Sequence, residues 1–244
     1  MKHLYVIYYG WLASDQGQPT LEALKIAAAR PHALIAAPVK VVNQRQNLTQ
    51  EVRGLFQTNN ILLFAYVTTA YGKRSQKLVE TEIEACRQSG FDGIFLDEVY
   101  GFQDDTELEY YRSIYNRVKS HGQRLIMNTG VSFSNELIMQ VTDILMLEHS
   151  WRDFCRDSRW RENYSTERFM GCSSNEPGSF SLQSYSINLA QAIKDTREAW
   201  AAGIDCYYST DRYIELAEWF DQYIQKVASD KKVMPRNKGS SKPK

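Results

Sequence analysis

The sequence has no apolar run approaching the length of a membrane-spanning helix, no Gly-x-Gly-x-x-Gly after its first apolar segment, no phosphate-binding loop pattern and no Cys-x-x-Cys. The first absence leaves no membrane span. The next two remove the commonest nucleotide-binding open sheets. The last, together with the lack of any histidine at ligand spacing, predicts that neither metal nor organic cofactor is used. The four cysteines, Cys86, Cys155, Cys172 and Cys206, are scattered singly. They read as small core residues of a reducing compartment, and a Cys172–Cys206 bridge would require those two segments to be neighbours. Net charge is also missing, with 29 Lys/Arg against 29 Asp/Glu, but the balance is uneven along the chain. Residues 230–244 carry six Lys/Arg and one acid, which leaves residues 1–229 with 23 basic and 28 acidic side chains, a net of −5. A mildly acidic body argues against a phosphate backbone as partner, so no nucleic acid is expected there. The basic tail, rich in Pro, Gly, Ser and Lys, reads as a disordered terminus.

What is present is an ordinary globular balance, 43% hydrophobic and 24% charged, over 244 residues. That length suits one α/β barrel. Short apolar runs at residues 4–9, 33–38, 61–67, 94–96, 124–128, 143–148, 168–172 and 204–208 read as buried parallel strands, since they are continuous rather than alternating. Stretches at helical spacing separate most of them: Leu78, Val79, Ile83 and Cys86; Leu108, Tyr111, Tyr115 and Val118; Leu189, Ile193 and Trp200; Leu216, Phe220, Ile224 and Val227. Eight strand-helix units predict a (β/α)8 barrel over residues 1–229, with an open doubly wound sheet as the weaker alternative.

The centre of this pattern is the run over residues 90–98, Gly-Phe-Asp-Gly-Ile-Phe-Leu-Asp-Glu. An apolar strand ends there on two adjacent carboxylates. In a barrel the functional groups gather at the carboxyl ends of the strands. Those ends carry Tyr8, Tyr66, Thr68, Tyr71, Asp97, Glu98, Asn128, Glu148, His149 and Tyr208. Three acids ringed by tyrosines suit acid–base work on a carbohydrate, because carboxylates move protons at glycosidic oxygens and aromatic faces stack on sugar rings. Simpler readings stand beside this one: Asp97 as a helix cap, Glu148 as a structural partner of Arg152, and His149 as an orienting residue rather than a metal ligand.

The run over residues 65–74, Ala-Tyr-Val-Thr-Thr-Ala-Tyr-Gly-Lys-Arg, followed after a helix by residues 93–98, Gly-Ile-Phe-Leu-Asp-Glu, resembles the spherulin-4 (spherulation-specific) family. The likeness continues through Asn128-Thr-Gly and the strand ending at Glu148. It implies a (β/α)8 glycoside hydrolase of galactosamine-containing polysaccharide. By the same resemblance Asp97, Glu98 and Glu148 are the catalytic candidates, and Tyr66, Tyr71 and Asn128 are substrate contacts. Thr68, Tyr8, His149 and Tyr208 join the expected substrate-binding set from their strand-end positions.

Two functions from different classes are therefore carried forward. One is an endo-acting glycosidase working as a monomer on a polysaccharide or oligosaccharide. The other is a glycan-binding barrel without turnover, which would need the aromatic rim but not three convergent acids. The first apolar run reads as a strand rather than as a signal peptide, so a cytoplasmic location is expected. An extracellular one would follow from unconventional export or from a trimmed precursor, as the family's exopolysaccharide substrates suggest.

Overall fold

Eight short apolar runs become eight parallel strands because nothing along them alternates. Each is apolar on both faces, and such a strand is stable only between a packed interior and a layer of helices. The computed structural model describes residues 3–8, 34–38, 54, 57, 61–99, 105–130, 136–147, 151–156, 169–173, 187–204, 206–210 and 216–228. The strands are β1 (His3–Tyr8), β2 (Leu34–Pro38), β3 (Ile61–Thr68), β4 (Gly93–Asp97), β5 (Arg124–Asn128), β6 (Ile144–Leu147), β7 (Phe169–Ser173) and β8 (Cys206–Ser209). They pair in sequence order, and β1 closes on β8 through His3–Cys206 and Leu4–Tyr207, so the sheet is a closed parallel barrel. All eight predicted strands are present, each within a few residues of its expected bounds. The two segments that carry Cys172 and Cys206 are neighbours, but Cys206 stands opposite Met170 and Cys172 opposite Tyr208. The basic tail lies outside the described residues.

The described helices are α1 (Gln76–Gln88), α2 (Asp105–Ser120), a 3-10 turn (Glu136–Gln140), α3 (Trp151–Arg156), α4 (Leu189–Ala201) and α5 (Phe220–Ala228). None is long and apolar enough to cross a membrane. Helix α1 buries Val79, Ile83 and Cys86, a single stripe at the spacing of a helix face. Leu78, expected on that stripe, lies one position off it and is 58% exposed. Helix α2 buries Leu108, Tyr111, Ile114 and Val118. Its first turn holds Asp105 and Glu107 and its last Arg117 and Lys119, which matches the sign of the helix dipole at both ends.

The amino end of the barrel is tied by a repeated device. Asp92, one residue before β4, accepts the Leu63 N–H of β3 at 2.8 Å. Asp143, one residue before β6, accepts the Leu125 N–H of β5 at the same distance. Each carboxylate thus satisfies a backbone donor at the foot of the neighbouring strand and fixes the stagger between them.

Inside the barrel the floor is shaped by one missing side chain. Phe64 of β3 is in register with Gly93 of β4, and both are fully buried. A Cβ at residue 93 would come within 2.6 Å of the Phe64 ring and within 2.6 Å of the Arg124 carbonyl oxygen. The glycine is there so that the ring can lie across it. Gly93→Ala should therefore be overpacked by about 1–3 kcal/mol. The expected result is a lower denaturation midpoint. Because the Arg124 contact is with backbone, trimming the ring in a Gly93→Ala/Phe64→Leu double variant should recover only part of the loss.

Candidate active site

Thr69, just past β3, has its hydroxyl 3.5 Å from that of Tyr111 on α2, so the odd-numbered side chains there face the helices. Alternation along the strand then turns Phe64, Tyr66 and Thr68 into the barrel. Register carries the same face across to Phe95 and Asp97, and the Tyr66 and Phe95 rings lie 6.1 Å apart. On β5 the matching residue at the mouth is Asn128, whose Nδ2 donates to Asp97 Oδ1 at 2.8 Å.

Strict alternation would send Glu98 away from Asp97, toward the helices. The backbone prevents this by breaking out of the strand: Glu98 has φ +51°, a left-handed conformation that costs an L-residue about 1–2 kcal/mol. The Glu98 side chain consequently returns to the barrel side, where Oε2 accepts the Thr68 hydroxyl. Two consecutive carboxylates thereby serve one mouth.

The loop after β3 holds that break in place. The Tyr71 N–H and the Thr69 hydroxyl both donate to the Glu98 carbonyl, each at 2.7 Å. The Thr69 N–H donates to the Asp97 carbonyl at 3.1 Å, and from the other side the Val99 N–H donates to the Asn128 carbonyl at 3.1 Å. The loop is itself left-handed at Ala70, Tyr71 and Gly72, with φ of 48°, 57° and 74°. Arg74 closes it, giving one N–H to the Thr68 carbonyl at 2.8 Å while pairing two-pronged with Glu82 of α1 at 2.9 and 2.5 Å.

Asp97 is the more enclosed acid. It accepts from Asn128, from the Tyr66 hydroxyl and from the Glu98 backbone N–H. Asn128 is oriented by the Gly130 N–H, which reaches its Oδ1 at 2.9 Å and so leaves only Nδ2 to face Asp97. Burial nevertheless raises the Asp97 pKa above the ordinary 3.8, with the Glu98 charge adding to the rise and the three donors opposing it.

The structure brings together Tyr66, Thr68, Asp97, Glu98 and Asn128 from the predicted set. Three of these were expected to touch substrate and instead hold the acids: Tyr66 and Asn128 bond Asp97, and Thr68 bonds Glu98. Asn128 is only 3% exposed. Tyr71 is 55% exposed on the rim loop. Tyr208 does not belong to the rim. It is 1% exposed, with its ring packed edge-on against Phe220 and Tyr223 of α5 at 6.1 and 6.2 Å, which leaves no face for a sugar. Glu148 and His149, just past β6, and the Tyr8 side chain at the end of β1 lie outside the described residues. Among the described residues no group of three His, Cys, Asp or Glu could hold a metal ion. Thr69 and Arg74, which fix the Glu98 backbone and the Thr68 carbonyl, were not singled out from sequence. Their signal was the polar doublet and the arginine within residues 65–74.

A family model described as spherulation-specific family 4 matches residues 11–229. The chain belongs to that family. No curated relative matches it. Among solved structures, Aspergillus clavatus Sph3 in complex with GalNAc superposes with a TM-score of 0.71 at 17% identity, covering 93% of this chain and 98% of that one. A chitinase from Chromobacterium violaceum ATCC 12472 gives 0.66 at 10% identity, covering 94% and 99%. A sugar phosphate isomerase/epimerase from Parabacteroides distasonis ATCC 8503 gives 0.51 at 13% identity, covering 92% of each. At these identities the likeness is one of fold. The spherulation-specific chain therefore shares the barrel fold of these proteins, and the fold alone does not set its chemistry.

The Asp97 shift makes a stability prediction. A carboxyl whose folded pKa is raised above its unfolded value stabilises the fold while protonated and loses that contribution as pH rises through the folded value. Asp97→Asn removes the titration. The Tm of the variant relative to wild type should therefore be higher at pH 7 than at pH 3.5, with the change falling above 3.8. A difference that stays flat across that window, or runs the other way, would contradict the burial argument.

Proposed function

We propose that this spherulation-specific protein is a glycoside hydrolase that cleaves within a polysaccharide containing galactosamine or N-acetylgalactosamine. The observation that carries the reading is the left-handed break at Glu98, which brings two consecutive carboxylates to one barrel mouth at a conformational cost that a binding surface has no need of. The family and the GalNAc complex of Sph3 support the sugar class.

In this reading Glu98 is the general acid and base. Its Oε2 is taken by Thr68, and its Oε1 receives no hydrogen bond among the described residues, so that oxygen is open to exchange a proton with a glycosidic oxygen. Asp97, buried and held by Asn128, suits an orienting role, taking the N–H of a 2-acetamido group. Glu148, the residue following β6, is the proposed third acid, and the exposed Tyr71 ring is the proposed stacking face on the rim.

The test is a panel of purified hexosamine polymers, with released oligosaccharides weighed by mass spectrometry. Wild type should release fragments of several residues, and exhaustive chelation should leave the rate unchanged. Asp97→Asn, Glu98→Gln and Glu148→Gln should each lose about 10² to 10⁴ in turnover with glycan binding retained. Binding without release by the wild-type protein would instead make this a glycan-binding barrel.

A further inference from the structure

Thr68 ends β3 directly opposite Asp97 in register, yet its hydroxyl goes past that neighbour to Glu98. A threonine hydroxyl has one proton to give. The Ala70 N–H donates into Thr68 Oγ1 at 2.9 Å, so the oxygen is the acceptor on that side and its proton is directed at Glu98 Oε2. The position of the hydroxyl is fixed from outside the barrel as well. Arg74 grips the Thr68 carbonyl at 2.8 Å, Glu82 of α1 grips Arg74, and the Tyr110 hydroxyl of α2 donates to the Arg74 carbonyl at 3.0 Å. Two helices of the outer layer thus converge on one strand-end residue, and that residue converges on one carboxylate oxygen.

A glutamate side chain has several rotatable bonds, and the backbone break at residue 98 decides only where it starts. We infer that Thr68 is a positioning residue: by tethering Oε2 it selects the Glu98 rotamer and turns Oε1 toward the substrate. This rests on the reading of Glu98 as the acid and base. It differs from the role expected from sequence, in which Thr68 touches the sugar itself.

The two roles separate in kinetics. A lost substrate contact raises KM, whereas a reacting group freed to move by about 1 Å lowers turnover by up to about 10²-fold while the substrate still binds. The experiment uses the full chain as Thr68→Val, Thr68→Ala, Thr68→Ser and Glu98→Gln, with the hexosamine polymer that wild type cleaves most readily. Both hydroxyl-free variants should lose about tenfold to a hundredfold in kcat with KM within about twofold, and Thr68→Ser should recover most of the loss. Valine keeps the branched shape and alanine removes it, so a packing defect would appear as a difference between those two and in Tm. A raised KM at unchanged kcat would overturn the inference in favour of a substrate contact. Full kcat in both hydroxyl-free variants, with Glu98→Gln inactive, would overturn it while leaving the acid in place. Full activity of Glu98→Gln, or no cleavage of any polymer by wild type, would remove the reading of the site and the role of Thr68 with it.

Discussion

One carbonyl oxygen carries the arrangement of the mouth. The Glu98 carbonyl takes two donors from the loop after β3, the Tyr71 N–H and the Thr69 hydroxyl, and this pair of bonds keeps residue 98 left-handed. Without the clamp the strand would run on, alternation would resume, and Glu98 would turn to the helix layer. Two net hydrogen bonds at about 1 kcal/mol each are of the same size as the about 1–2 kcal/mol that the left-handed conformation costs. The loop that supplies them is in turn held by Arg74, Glu82 and Tyr110, so helices α1 and α2 contribute to the site without reaching it.

The barrel was legible in the sequence because buried parallel strands carry their signal locally. Each is a short apolar run between polar stretches, and eight of them in order leave few topologies. Asp97 was legible at the mouth for the same reason, whereas Glu98 reaches that side only through a left-handed backbone that the apolar pattern does not announce. What the sequence could not supply was the cross-strand register. Tyr66, Thr68 and Asn128 look alike as polar strand ends, and only the pairing of β3 with β4 and of β4 with β5 reveals that their polar atoms face the acids. Tyr208 was misread for a related reason: a strand-end tyrosine next to the mouth and one packed under the last helix have the same one-dimensional context. Leu78 fell one position off a helical stripe whose phase is set by Val79, Ile83 and Cys86.

The barrel divides its labour by end. At the amino end Asp92 and Asp143 bond backbone N–H groups of neighbouring strands, and at the carboxyl end Asp97 and Glu98 bond side chains that orient them. The same residue type thus serves register in one place and, in the proposed function, chemistry in the other. Solved barrels of similar shape include both a chitinase and a sugar phosphate isomerase, which is why the mouth, rather than the scaffold, distinguishes this protein.

The left-handed backbone at residue 98 also shapes how this chain can drift. Asparagine and glycine enter that region more easily than glutamate does, whereas valine, isoleucine and threonine are shut out of it. Replacement by asparagine would relax the backbone and keep a polar side chain while removing the carboxyl. The acid at this position is thus the less comfortable occupant of its own site. If Glu98 is the acid of the proposed function, a lineage released from selection for turnover would lose it early and keep the barrel intact.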